Sequence, residues 1–342
     1  MKASFIKHQL QFKKPGGTSR GILTEKSSWF IILREEDRFG IGECSVLKGL
    51  SPDDQPGLES QLKCVCEAIN NQRSLPNLKT WPAIAMAVEM AYHSFSSPSP
   101  FSLFPSDFTK GTASIPINGL VWMGDYNFMK AQVKTLLNSG FDCIKIKIGA
   151  IDFDEELALL KQIRKEYSPA TIEIRVDANG AFSPRDAIEK LERLSAFSLH
   201  SIEQPIGVRQ WDAMAELCKK SPLPIALDEE LISCDDDSKK ESLLLSINPQ
   251  YVILKPSLLG GLKAIKTWID LAEKNKIGWW VTSALESNIG LNAIAQWTYS
   301  LGISQPQGLG TGSLFVNNIA SPLCVKKGCL YLENSIPWQK FP

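Results

Sequence analysis

The sequence predicts an α/β barrel with a smaller α+β module ahead of it, on three observations. Lys147, Asp177, Glu203, Asp228 and Lys255 recur at successive separations of 30, 26, 25 and 27 residues, about the length of one strand, one helix and two loops in a (β/α) barrel. Each of the five closes a short apolar run, at 143–147, 172–177, 199–203, 223–228 and 251–255. Residues 1–108 lack this rhythm and carry strand-like stretches at 29–33 and 39–43, followed by an apolar helical run at 82–92.

Taken in order, the break at 96–100, with Pro98 and Pro100, closes the N-terminal module, and strand-helix alternation begins after Thr112 with residues 113–117. Helical segments with charge on one face lie between the site strands, for example at 154–163 and 184–191. Ser183 before Pro184 reads as an N-cap with proline at the first helical position. Two further strands are expected at 278–283 and 307–310, which gives eight counted from Ile115. The run at 328–332 is expected to rejoin the N-terminal module, so that 1–108 and 316–342 form one unit and 109–315 the barrel. Two glycine-bearing basic loops, 13–21 and 45–52, read either as ordinary flexible turns or as a lid closing over the barrel mouth, and the lid is the expectation once a site is placed there.

Composition excludes several classes of function. The 342 residues hold 37 basic and 37 acidic side chains, so nothing favours nucleic acid or an anionic membrane as partner. No apolar run has the length of a bilayer span, and the first residues lack the apolar stretch of a secretory signal; a cytoplasmic location is expected. Eight scattered cysteines read as reduced, mostly buried thiols. The three histidines, His8, His93 and His200, do not cluster, and His200 reads as a packed side chain.

In a barrel all strand C-terminal ends face one mouth, so three carboxylates and two amines converge on one pocket. A charged residue at a strand end can simply mark the passage from core to wet loop. Five in phase, acidic in the middle and lysine on the outside, point instead to a shared site. Asp177, Glu203 and Asp228 offer hard oxygen ligands without His or Cys, suited to Mg²⁺, with Mn²⁺ as a substitute, and poorly suited to zinc. Lys147 and Lys255 beside such a cation suggest proton transfer next to a carboxylate substrate, since a neighbouring dication lowers an ammonium pKa. Lys145 shares a strand face with Lys147.

The set Lys145-x-Lys147, Asp177-Ala178-Asn179, Glu203-Gln204-Pro205, Asp228-Glu229 and Lys255-Pro256-Ser257 resembles the enolase superfamily in its muconate-lactonizing-enzyme branch, across essentially the whole chain. The resemblance implies a modified (β/α)₇β TIM-like barrel with an N-terminal α+β capping domain, Asp177, Glu203 and Asp228 as Mg²⁺ ligands, and Lys147 as the catalytic lysine with Lys255 across the barrel. Lys145, Arg175, Asn179 and Ser283 are taken as supporting residues. Within the branch, the runs 42–44, 47–51, 253–261 and 283–290 are similar to the o-succinylbenzoate synthases of menaquinone biosynthesis. That subgroup implies a lyase performing Mg²⁺-dependent syn dehydration through an enediolate.

Absences separate relatives. The seventh strand reads Thr282-Ser283-Ala284-Leu285, without the histidine base of mandelate-racemase-like members. The eighth reads Gly308-Leu309-Gly310-Thr311-Gly312, without the Asp-x-Asp pair of dipeptide epimerases. A small anionic carboxylate without an amine is therefore the expected substrate. N-acylamino-acid racemisation with the same residues is the alternative activity, and a non-catalytic binding barrel the alternative of another class. Neither oligomeric state nor the residues holding the succinyl tail follow from the sequence.

Overall fold

The computed structural model describes residues 1–18 and 21–340. The N-terminal unit is an antiparallel sheet in the order β1 (Lys2–Thr18), β2 (Gly21–Glu35), β3 (Arg38–Ser45), covered by α1 (Leu58–Asn70) and α2 (Pro82–Ser96). Alternation along β2 sends Trp29, Ile31 and Leu33 into a core shared with Leu62 and Val65 of α1 and Ile84 of α2, whereas Phe30 and Ile32 join the barrel core. Both faces of the strand are buried, which explains why 29–33 reads as one continuous apolar run. On β3, a Cβ added at Gly40 would lie 2.4 Å from the Ala91 carbonyl and one at Gly42 1.9 Å from that of Ala87. Two absent side chains thus let α2 lie directly on the sheet.

After β4 (Ile115–Pro116), the chain alternates β5 (Gly119–Val121), α3 (Tyr126–Asn138), β6 (Cys143–Lys147), α4 (Phe153–Glu166), β7 (Glu173–Asp177), α5 (Pro184–Ser195), β8 (Ser201–Glu203) and α6 (Trp211–Lys220). It continues through β9 (Ile225–Leu227), α7 (Asp237–Ile247), β10 (Tyr251–Leu254), the short α8 (Pro256–Leu259), α9 (Leu262–Lys274), β11 (Gly278–Val281) and α10 (Asn288–Ser300). Strands β5 to β11 form one parallel sheet in sequence order. Ser183 caps α5 as expected, its hydroxyl accepting from the Asp186 N–H. The fold is a modified (β/α)₇β barrel with an N-terminal α+β capping domain.

Three expectations need correction. Ile115 does not open the barrel, because β4 belongs to a separate three-stranded sheet with β12 (Leu323–Lys326) and β13 (Cys329–Leu332), and Gly119–Val121 is the first barrel strand. The stretch 307–310 fills the eighth place only through isolated parallel bridges, Ile117 with Gln307 and Thr282 with Gly308. Pro116 and Pro306 have no N–H to give, which limits the ladder on both segments. The run 328–332 likewise pairs with β4 and not with the N-terminal sheet. The chain that does meet β1 is the segment just before it, where the Lys13 N–H donates to Leu314 and the Val316 N–H to Gln11.

Of the two loops expected as a lid, 45–52 follows β3, and 13–21 forms the end of the β1–β2 hairpin; Ser19 and Arg20 lie outside the described residues. No helix among the described residues is long and apolar enough to cross a membrane.

Candidate active site

Strand register brings the charged side chains together. Lys147 stands opposite Asp177, and Asp177 opposite Glu203, on three neighbouring parallel strands. Asp228 follows β9 and Lys255 follows β10 at the same end. Asp177, Glu203 and Asp228 are buried and present oxygens all within 4.8 Å of one another. Lys147 donates to Asp177 Oδ2 at 3.0 Å and to Asn179 Oδ1 at 2.6 Å. Lys145, one pleat deeper, bridges Asp177 at 3.0 Å and Glu203 at 2.8 Å. Lys255 pairs with Asp228, so Lys147 and Lys255 approach the triad from strands four places apart in the sheet.

The cluster sets burial against charge. Burial works to raise Asp177, but Lys145, Lys147 and Lys255 outweigh it and hold that carboxyl well below the usual range. For Glu203 burial prevails, reinforced by Asp177 and Asp228 over the pull of Lys145, and its carboxyl is pushed up to about 7. Burial would lower Lys145 and Lys255, yet the facing carboxylates raise both above the ordinary lysine value. Among protein groups alone the balance for these lysines is upward, opposite to the lowering expected from a neighbouring dication. Glu203 Oε1 is buried and has no hydrogen-bond partner among the described residues. A buried acceptor so placed, in an all-oxygen set with crowded like charges, fits a hard divalent cation.

Above the cluster lies a cavity of about 780 Å³. Lys145, Lys147, Lys255 and Asn179 line its floor. Leu47, Lys48 and Leu50 of one expected lid loop, Ile22 and Leu23 beside the other, and Trp122 line its upper wall. Residues of the 45–52 loop therefore border the same space as the lysines.

Residues 128–334 match the family described as Enolase C-terminal domain-like. The chain belongs to the enolase superfamily. It is 47% identical to the o-succinylbenzoate synthase of Desulfotalea psychrophila, over 96% of this chain and 98% of that one. The crystal structure of MenC from the same organism superposes with a TM-score of 0.87 at 42% identity, covering 97% of this chain and 99% of the other. The L-Ala-D/L-Glu epimerase of Bacillus subtilis shares the fold, with a TM-score of 0.82 at 17% identity over 99% of this chain and 97% of that one.

Within this superfamily frame, the supporting residues fall in different places. Asn179, with a left-handed φ of 44°, joins the site by accepting from Lys147 and donating to Glu229 Oε1 at 2.9 Å. Ser283 lines the cavity, but its hydroxyl donates to Glu286 at 2.6 Å and accepts from Thr311 at 2.8 Å. Arg175 does not reach the cluster. It lies one pleat below Asp177, donating to Glu173 at 2.7 Å and to the Pro306 carbonyl at 3.0 Å, with its guanidinium 4.2 Å from the Trp280 ring centre. His200 packs in the same region against Tyr251, as a structural side chain.

Sequence reasoning passed over Gln204 and Glu229, though both sit in quoted motifs. Gln204 Oε1 accepts from the Asp228 and Glu230 N–H groups at 3.2 and 3.3 Å, fixing the loop that carries the third carboxylate. Their signal was adjacency to a ligand, which does not reveal what a side chain grips.

Proposed function

We infer that this chain is a carbon–oxygen lyase with o-succinylbenzoate synthase activity, dehydrating 2-succinyl-6-hydroxy-2,4-cyclohexadiene-1-carboxylate to o-succinylbenzoate in menaquinone biosynthesis. The observation that carries this reading is the end-to-end similarity to the Desulfotalea synthase. The two-lysine arrangement around a buried acidic triad supports it, and we place the reaction in the cytoplasm. Asp177, Glu203 and Asp228 would hold the divalent cation, Mg²⁺ with Mn²⁺ as a substitute, whose charge makes the α-proton of a carboxylate more acidic.

Our assignment of the protein groups is as follows. Lys147, oriented by Asn179, removes the proton α to the ring carboxylate and leaves an enediolate. The electron pair of that C–H bond becomes a ring double bond as the C–O bond breaks, and Lys147 returns its proton to the departing hydroxide as water. One base serving both transfers places both losses on one face. Lys255, on the opposite side, keeps its proton and offsets the charge growing on the carboxylate. The capping domain, residues 1–108, closes the mouth.

The test is aromatisation of the cyclohexadiene substrate by purified protein, followed by absorbance with and without chelator. Turnover that stops with chelator and returns with Mg²⁺ is expected. Solvent-deuterium exchange into both enantiomers of an N-succinyl amino acid, at rates rivalling dehydration, would favour racemisation instead.

A further inference from the structure

Lys147 lies inside a strand, whereas Lys255 stands just past the end of one. Strand β10 stops at Leu254, and Lys255 opens α8, a single turn of four residues. The Leu258 and Leu259 N–H groups of that turn return to the Lys255 carbonyl at 2.9 and 3.1 Å. So short a helix has too little internal bonding to fix its own place. Its sequence is Pro256-Ser257-Leu258-Leu259, so Ser257 alone gives it a polar side chain. Ser257 is fully buried, and its hydroxyl donates to Glu286 Oε1 at 2.6 Å.

Glu286 is itself fully buried, behind Ser283, Ala284 and Leu285, which line the cavity. Its Oε2 accepts from the Ser283 hydroxyl at 2.6 Å and the Ala284 N–H at 2.8 Å. Ser283 Oγ accepts in turn from Thr311 at 2.8 Å and from the Leu285 N–H at 3.1 Å. Leu285 has a left-handed φ of 61°, a strained conformation that persists only where the surroundings hold it. One carboxylate therefore ties the turn after β10 to the turn after β11, with the segment after the eighth strand position attached through Thr311. The link to Ser257 reaches the backbone that carries Lys255, while the ammonium is left to Asp228. We propose that Glu286 is a positioning residue that sets Lys255 through Ser257, keeping its ammonium on the side of the substrate opposite Lys147. The proposal rests on the o-succinylbenzoate synthase reading and adds a residue that touches no reacting atom.

The experiment is a double-mutant cycle on the Mg²⁺-loaded full chain with the cyclohexadiene substrate, using Ser257→Ala, Glu286→Gln, Lys255→Ala and the two pairings with Lys255→Ala. Ser257→Ala leaves Glu286 its other donors, so it decides the matter even where Glu286→Gln does not fold. Each of these two substitutions alone lowers kcat by roughly tenfold, the weight of one buried hydrogen bond to a charged group, with KM within about threefold. In the Lys255→Ala background neither adds a further loss beyond about threefold, because the residue being positioned is gone. Amide exchange at Leu258 and Leu259 is faster in Ser257→Ala than in the wild type. A Ser257→Ala variant with wild-type kcat and unchanged exchange overturns the proposal and leaves the parent activity standing. So do losses that multiply with that of Lys255→Ala, which would make the link a general support of the barrel. A wild-type chain that aromatises no substrate removes the parent reading and this proposal with it.

Discussion

At the barrel mouth, Lys145, Lys147 and Lys255 face Asp177, Glu203 and Asp228 directly, while between cap and barrel Lys26 meets Glu43 through a serine hydroxyl, with the Glu286 carboxylate nearby. The second cluster is as buried as the first. Lys26 donates to Ser45 at 2.6 Å and Ser28 at 3.2 Å, and Ser28 passes a hydrogen bond to Glu43 at 2.6 Å. Glu43 also accepts from the Ser287 N–H and hydroxyl and the Gly290 N–H, so a capping-domain carboxylate sits on the first turn of α10. Glu286 accepts from Ser257, Ser283 and the Ala284 N–H. Every carboxylate oxygen there has a donor, whereas Glu203 Oε1 at the mouth has none among the described residues. Burial alone therefore does not mark a functional site. A filled donor set marks a joint between domains, and crowded like charges with an open acceptor mark chemistry.

Substitutions should separate the two clusters cleanly. The largest effect is expected for Lys147→Ala, which should lower kcat by more than a hundredfold, the range of a lost general base, with metal and product affinity nearly intact. A variant keeping more than about a hundredth of the wild-type rate would remove Lys147 from its role.

Lys255 refines the account of the mouth. Lys255→Arg keeps the charge but does not release a proton near neutral pH. It should therefore retain measurably more dehydration than Lys255→Ala, while any incidental racemisation disappears. Equal loss of dehydration in both variants, with circular dichroism unchanged, would mean that Lys255 moves a proton.

In the joint, Glu43→Ala should cost about 2–4 kcal/mol in urea unfolding, since it strips the acceptor from buried donors and leaves Lys26 with Glu286 alone as a nearby carboxylate. Metal affinity of the folded fraction should not change. Loss of metal binding in step with stability would erase the distinction between the two clusters.

The smallest effect is a pH dependence at Glu286, whose carboxyl burial raises against the hydrogen bonds from Ser257 and Ser283. The folded chain holds this proton to higher pH than the unfolded chain. The stability it contributes is full below the ordinary value of 4.5 and is lost as pH rises from there through the raised folded value. Relative to Glu286→Gln, which does not titrate, the wild type should therefore lose stability as pH rises above 4.5 toward the raised folded value. A stability gap that stays constant across that range would contradict the assignment.

The mouth was legible in the sequence because each of its charges ends a strand, and parallel register converts equal spacing into side-by-side placement. Depth was not legible. Arg175 and Asp177 share a face by alternation, yet one pleat of descent puts the guanidinium against Trp280 in the barrel interior. The shortened eighth strand and the pairing of β13 with β4 depend on which backbone groups remain free, and a hydropathy pattern does not record that. The joint was invisible for a simpler reason: Glu43 and Ser287 are 244 residues apart, and neither has a local signal of the other.

Metal binding tests the contrast between the two clusters most directly. Calorimetric titration of Mg²⁺ into the wild type should give one site per chain. That site should weaken by at least tenfold in Glu203→Gln, where a formal charge and the open acceptor are lost together, and stay unchanged in folded Glu43→Gln. Unchanged affinity in Glu203→Gln, or equal weakening in both variants, would contradict the account.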